Sequence, residues 1–232
     1  MTNINTTPKK LPMRQFLRKA AIDALEADGW KVEKVARSGK SSVRRITRGN
    51  VSKVVSIRTT QDTWIAFPRV KDDTAWRTLD EVDDVVAVSV NDKENPRFAK
   101  IHLMDGDNIR DRFNRAYKAR IDAGHSIPVG RGVWVSLYEK EQKLPVTLVG
   151  AGAGLEFKPI KTVPIDMSAI LSGSEADDED DSHAEDAEER TEKETVQASS
   201  VEEAPLTIAE AKRRLATTLG VDISAIKITI EG

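Results

Sequence analysis

The sequence predicts an α+β protein whose folded body is followed by a charged tail and a small terminal unit. Three features support this class: an amphipathic segment near the start, several alternating segments rich in β-branched residues, and one later helical segment. We expect an N-terminal helix, an antiparallel-rich mixed sheet of about five to six strands, and a second helix. The predicted order is α-β-β-β-β-β-α-β.

Composition divides the chain into four parts. Residues 1–12 are predicted to be a flexible N-terminus, and residues 13–171 the α+β domain. Residues 172–204 carry almost no bulky apolar side chains and are strongly acidic, which predicts a disordered acidic linker. Residues 205–232 are predicted to form a helix and a strand. Because so short a unit cannot bury a core of its own, we expect it to dock on the body, on a second copy or on another protein.

The first helix is predicted from apolar spacing. In "MRQFLRKAAIDALEADGW", Met13, Leu17 and Leu25 fall on one helical face, and Gly29 ends the segment.

An antiparallel meander is predicted next. Its strands are "WKVEKVARSG", "SVRRITRGN" and "VSKVVSIRTTQDTWIAFPR", with turns at Gly39 and Gly49. Asp62 and Trp64 are also compatible with a hairpin turn whose indole packs in the core.

The remaining elements follow the same patterns. "VVAVSV" and "RFAKIHLM" are predicted strands, "DGDNIRDRFNRAYKARIDAG" a helix ending at Gly124, and "RGVWVSLYEKE" a final strand. Within these strands, His102 and Tyr138 are predicted to be structural residues. "GAGAGLEFKP" is predicted to be a flexible turn that ends the folded body.

Charge is distributed unevenly although the net charge is only −2. Residues 1–70 hold 15 Lys and Arg against 5 Asp and Glu, whereas residues 175–203 hold 2 against 14. A basic head and an acidic tail favour an interaction with phosphates or between the two charged parts.

Several classes are excluded or disfavoured. The chain has no cysteine, which excludes disulfides and thiol chemistry, and its three histidines are scattered, which disfavours a metal site. No apolar run approaches the roughly 18 residues of a membrane span, so we expect a cytoplasmic protein without membrane contact. No cofactor is predicted.

The string "GKS" in "RSGKSSVRR" invites comparison with a P-loop. A P-loop needs a glycine where this chain has Lys34, and a helix where this chain has the alternating "VRRITR". The stretch is better explained as a turn that leads into a basic strand.

Seven cations lie within 22 positions on the predicted adjacent strands, and we interpret them as contacts to nucleic-acid phosphates. Alternate residues of a strand share a face, so some of these side chains are expected to converge on one surface. DNA is favoured over RNA as the partner. The candidate residues are Arg37, Lys40, Arg44, Arg45, Arg48, Lys53 and Arg58.

A family resemblance runs from Met13 to Leu137. The order of elements in this range is similar to that of the restriction-endonuclease-like, or PD-(D/E)xK, superfamily. The elements are the N-terminal helix, the strand after "GW", the strand "VSIRTT", the return "WIAF", and the strands "VDDVVAV" and "AKIHLM". The resemblance implies a metal-dependent nuclease fold, whose active members commonly read V-(E/Q)-x-K-T on the third strand.

At the positions that match this pattern, the chain departs from it. "SSVRRI" offers no aspartate, Ser56 stands at the acid or amide position, and Arg58 stands at the lysine position. Because carboxylates must hold the divalent ion, we expect no cleavage and no enzymatic activity. The alternative is a nuclease whose acids have migrated to Glu26, Glu33 and Asp62.

The acidic linker and the terminal unit leave further alternatives. The linker could be a solubilising spacer, a competitor that folds back on the basic strands, or a tether for residues 205–232. The whole protein could also be an interaction adaptor without a nucleic-acid role.

Overall fold

The computed structural model describes residues 10–35, 42–70 and 72–172. The predicted linker beyond Ser172, the terminal unit at 205–232 and the turn at Gly39 lie outside the described residues.

The described residues form four helices and eight strands. In chain order these are α1 (Lys10–Ala27), β1 (Lys31–Lys34), β2 (Val43–Arg48), β3 (Val51–Thr60), β4 (Trp64–Pro68), β5 (Asp84–Val90), β6 (Phe98–Asp105), α2 (Gly106–Asp122), β7 (Gly132–Ser136), α3 (Ala153–Glu156), β8 (Lys161–Pro164) and α4 (Met167–Ser172). Short 3₁₀ turns occur at Leu79–Glu81 and Val146–Leu148. The predicted α+β class is confirmed, with an N-terminal helix, a mixed sheet and a second helix.

The main sheet has six strands in the order β1-β2-β3-β5-β6-β8. Its pairs are antiparallel except for β3 and β5, which run parallel. The meander β1-β2-β3 is therefore confirmed. Gly49, with φ of +57°, occupies the first position of the two-residue loop between β2 and β3, where a left-handed residue is favoured.

Helix α1 covers one face of this sheet, here named the α1 face. Met13 and Leu17 are buried together with Val55, Ile57 and other sheet residues. The helix begins at Lys10, three residues before the predicted start, and Pro12 lies in its first turn, where its missing N–H costs no intrahelical bond. Gly29, at φ of +85°, turns the chain towards β1.

The opposite face, named the α2 face, is covered by α2 and by the two-stranded sheet of β4 and β7. Phe67 of β4 meets Phe113 of α2 edge-to-face with ring centroids 5.1 Å apart, and Trp76 meets Phe113 at 5.4 Å. The central strands are thus buried on both faces, and all seven residues of β5 are buried.

The segment counted as the third strand divides into β3 and β4. Asp62 causes the break, because its Oδ1 accepts hydrogen bonds from Thr60 Oγ1 at 2.6 Å and from the Trp64 amide at 2.9 Å. This local bonding turns the chain out of the main sheet. β4 then pairs with β7 rather than with β3.

The interpretation of "GAGAGLEFKP" as a flexible turn that ends the body is wrong. Residues 150–154 are all buried, and Gly150 and Gly152 adopt left-handed φ values of +81° and +92°. The folded body continues through β8, which pairs with β6, and α4, which contacts α1. Among the described residues, no helix is both long and apolar enough to cross a membrane.

Candidate nucleic-acid interface and a buried polar network

The five described candidate cations are divided between the two faces of the sheet. Arg44 and Arg48 lie on the same side of β2 as the buried Ile46, and Lys53 lies on the same side of β3 as the buried Val55. All three are therefore on the α1 face. Arg45 and Arg58 lie on the α2 face. Neighbouring residues of a strand point to opposite faces, so Arg44 and Arg45 could not share one. Arg37 and Lys40 lie outside the described residues.

All five of these cations have intramolecular partners, and the contacts of Arg48, Lys53 and Arg58 involve acidic or aromatic side chains. Arg48 Nη1 donates to the backbone oxygen of Asp28 at 2.9 Å and to its Oδ2 at 3.0 Å, and the guanidinium carbon lies 4.3 Å from the Trp30 ring centroid. Lys53 Nζ lies 2.6 Å from Oδ2 of the buried Asp84. The Arg58 guanidinium carbon lies 4.3 Å from the Phe67 ring centroid. Contacts within the protein therefore hold the side chains of Lys53 and Arg58 in place.

Exposed cations gather instead at the β1–β2 edge of the sheet. We call Lys31, Lys34, Arg45 and Arg48 the basic edge, because all four are exposed and lie on β1 and β2. Lys34 and Arg48 lie on the α1 face of these strands, and Lys31 and Arg45 on the α2 face. Arg45 adds a contact from its Nη1 to Ser52 Oγ at 3.4 Å. Lys31 and Lys34 were not among the sequence candidates, since "WKVEKVARSG" was interpreted only as a strand.

A cation of this edge lies opposite a buried cation of β2. Lys34 lies directly opposite Arg44 in the antiparallel pair, while Glu33 lies opposite Arg45. Arg44 is only 8% exposed, and its Nη1 donates to the Val43 backbone oxygen at 2.9 Å. Like charges at directly opposed positions disfavour a strand pair.

The acids proposed for the alternative nuclease are not gathered. Glu26 is exposed in the last turn of α1, and Glu33 pairs with Lys31 at 2.8 Å. Asp62 is buried and bonded within its own turn, which supports its interpretation as a hairpin residue. Across residues 10–35, 42–70 and 72–172, no group of three or more His, Asp or Glu side chains is placed to hold a metal ion.

A buried polar network lies on the α2 face of β5 and β6, and the sequence did not reveal it. His102 Nδ1 lies 2.6 Å from the Phe157 backbone oxygen, and His102 Nε2 lies 2.9 Å from Tyr138 Oη. Tyr138 Oη lies 2.5 Å from Ser89 Oγ. The carbonyl accepts only, so Nδ1 carries the imidazole proton, Tyr138 donates to Nε2, and Ser89 donates to Tyr138.

The members of this network are neutral at pH 7. Burial lowers the pKa of His102, and this effect outweighs its hydrogen bond to Phe157, while nearby Lys100 lowers the pKa further. Burial raises the pKa of Tyr138. Ser89 and His102 are fully buried. Because Tyr138 follows β7 and contacts both of them, the network joins β5 and β6 to this part of the chain.

Gly154 explains part of the glycine-rich sequence. A Cβ atom built on Gly154 would lie 2.6 Å from Tyr138 Cε1, so any side chain here would displace the tyrosine. Nearby, Arg112 Nη1 donates to the Gly150 and Ala151 backbone oxygens at 3.1 and 2.5 Å. The small residues let this segment pack closely under the network.

Comparison with known proteins adds no further assignment. No protein-family model matches the chain, and neither the curated proteins nor the solved structures searched include a match. The resemblance to the restriction-endonuclease-like superfamily therefore stays a prediction.

Proposed function

We propose that this protein binds nucleic acid through phosphate contacts at the basic edge and does not cleave it. The observation that carries the proposal is the group of four exposed cations on β1 and β2, namely Lys31, Lys34, Arg45 and Arg48. Exposed lysine and arginine side chains on neighbouring strands are suited to contact successive phosphates of a nucleic-acid backbone.

The surrounding charge supports the same partner. From α1 through β3, the described residues include eleven Lys and Arg against four Asp and Glu. Such an excess raises the local concentration of polyanions and speeds their encounter with the surface. Arg37 and Lys40 lie between β1 and β2 in the chain, and we include them in the proposed contact set.

The residues assigned to contacts differ from those favoured by the sequence. Lys31, Lys34, Arg45 and Arg48 replace Lys53 and Arg58, because the first four are exposed whereas Lys53 and Arg58 are partly buried. Arg44 is buried and contributes positive potential rather than direct contact.

Binding without cleavage is proposed because the carboxylates are dispersed. Hydrolysis assisted by a divalent ion requires several oxygen ligands around one point. Asp62 is engaged in its turn and Glu33 in an ion pair, so neither is arranged with Glu26 for that role. A relationship to the restriction-endonuclease-like superfamily is part of this proposal and fits a fold retained for binding alone.

The test uses charge reversal at two exposed positions. We expect Lys34→Glu/Arg45→Glu to bind a fluorescent oligonucleotide about tenfold more weakly than wild type at low salt. Two lost phosphate contacts would also reduce the slope of log K against log salt by about 1.4 to 1.8. Fluorescence anisotropy with single-stranded DNA, duplex DNA and RNA of equal length would identify the preferred partner.

The matched control is Lys93→Glu/Lys143→Glu, which changes the net charge equally at exposed loops far along the chain. Equal weakening by both double variants would mean that only the net charge matters. No binding by wild type to any of the three nucleic acids would reject the proposal and favour an adaptor.

A further inference from the structure

We infer that the acidic segment, residues 175–194, occupies the basic surface formed by α1 and the basic edge and competes there with nucleic acid. This inference rests on the proposed function, because it names an intramolecular competitor for the same surface. Among the possible roles of the linker, charge and attachment point favour this one.

The chemistry of the acidic segment resembles that of a phosphate backbone. It holds twelve Asp and Glu against Arg190 and Lys193, and five acids are consecutive in 177–181. An extended chain advances about 3.3–3.6 Å per residue. Alternate side chains of an extended chain share a side, so acids of this run that face one surface are about 6.6–7.2 Å apart. A DNA strand carries one charge per about 3.4 Å of helix axis, so both chains present a line of closely spaced negative charge.

The fold places the start of the acidic segment beside its proposed target. Helix α4 contacts α1, and Met167 and Ile170 pack against the same apolar cluster as Leu17. α4 ends at Ser172, only three positions before Glu175. The described chain therefore ends in a helix that contacts α1, which carries Arg14, Arg18 and the exposed Lys19.

The length of the acidic segment is sufficient to reach the whole surface. Its 20 residues would span about 66–72 Å if extended. α1 is about 27 Å long at 1.5 Å per residue. The segment is thus long enough to reach both residues 10–19 of α1, which include the cations of this helix, and the basic edge on β1 and β2.

Attachment makes even a weak contact effective. A short flexible tether gives an effective concentration of about 1 mM. If the detached segment bound with a dissociation constant of about 0.1 mM, the tethered one would weaken nucleic-acid binding roughly tenfold. Because both surfaces are solvated, salt near 1 M would reduce the screening length to about 3 Å and remove most of this competition.

The contact itself can be tested without nucleic acid. The chain has no cysteine, so Ala187→Cys provides a single site for a nitroxide spin label. We expect this label to broaden backbone amide signals of α1, β1 and β2 at low salt, and the broadening to disappear near 1 M salt. The control carries the same label with all twelve acids of the segment changed to Asn or Gln, and should show no broadening of these signals.

Affinity measurements separate this inference from the proposed function. The neutralised segment, without a label, should raise nucleic-acid affinity severalfold at low salt, whereas a variant with the same residues in shuffled order should not. Unchanged broadening and affinity after neutralisation would overturn the inference while leaving binding at the basic edge intact. Loss of broadening on neutralisation, with no nucleic-acid binding by any variant, would instead support the contact and reject the proposed function.

Discussion

Polar residues occur both on the central strands β5 and β6 and on the edge strands β1 and β2, but in opposite circumstances. On the central strands, Ser89 and His102 are fully buried, and each is hydrogen-bonded to Tyr138. At the edge, Lys34 and Arg45 are exposed, and Lys34 faces another cation.

This difference suggests that the buried polar residues contribute to folding stability, whereas the exposed cations are available for binding. A buried polar group must be satisfied internally, because leaving it without a partner costs about 1–3 kcal/mol. An exposed cation gains little from an intramolecular partner, so its position can be set by a ligand. We therefore expect changes near the central strands to affect folding, and changes at the basic edge to affect binding.

The largest effect is expected at Arg112, on the buried side of the comparison. Its guanidinium donates to the Gly150 and Ala151 backbone oxygens and to Asn108 Oδ1, and it pairs with Glu156. Arg112→Ala would leave buried oxygens without donors, and we expect a loss of about 3 kcal/mol in the free energy of unfolding. Urea denaturation monitored by circular dichroism would measure it.

Arg115 is the matched control on the same helix. It pairs with Asp111 at 2.8 Å and also with Glu141, but its side chain is 40% exposed. Exposed pairs contribute less than about 1 kcal/mol, so Arg115→Ala should shift the urea midpoint only slightly. Equal losses for the two variants would contradict the role assigned to the buried contacts.

An intermediate effect is expected from pH. The pKa of His102 is lower in the folded protein than its usual value near 6.5, so the unfolded chain binds more protons between those two values. Stability should therefore fall as pH decreases below about 6.5, by at most about 1.4 kcal/mol per pH unit from this group. Urea midpoints measured from pH 7.5 to 5 would show this slope.

Substitution identifies the group responsible. His102→Gln should be less stable at pH 7.5 but should lose less further stability on acidification. His125→Gln, at an exposed loop position, should keep the slope of wild type. If the slope persists in His102→Gln, another group controls the acid sensitivity.

The sequence predicted elements that depend on neighbouring residues better than contacts between residues far apart in the chain. The meander β1-β2-β3 follows from alternation and from Gly49, which are local signals. The pairing of β4 with β7 joins residues about 70 positions apart, and no local pattern specifies it. The division of the third strand depended on Asp62, which the sequence left open between a turn and a strand.

The site was predicted only in part for the same reason. Composition places an excess of positive charge in residues 1–70, but the faces of Arg44 and Arg58 and their partners depend on the folded sheet. Packing also reversed the interpretation of Gly154, since its small size accommodates Tyr138 rather than making the chain flexible. Tyr138 and Ser89 are 49 positions apart, so their contact has no sequence signature.

The smallest effect is expected at the basic edge and has the opposite sign. Lys34→Glu would place a carboxylate opposite Arg44 in place of a like charge. We expect a gain of about 0.5 kcal/mol in the free energy of unfolding at low salt, from an opposed pair of unlike charges on adjacent strands. The gain should shrink as salt is added.

Lys34→Glu also tests the central claim most directly when both of its properties are measured. Stability by urea denaturation should rise slightly, while affinity for the preferred oligonucleotide by anisotropy should fall about fivefold or more at low salt. A rise in stability with unchanged affinity would contradict the claim that Lys34 is retained at the basic edge to contact phosphate.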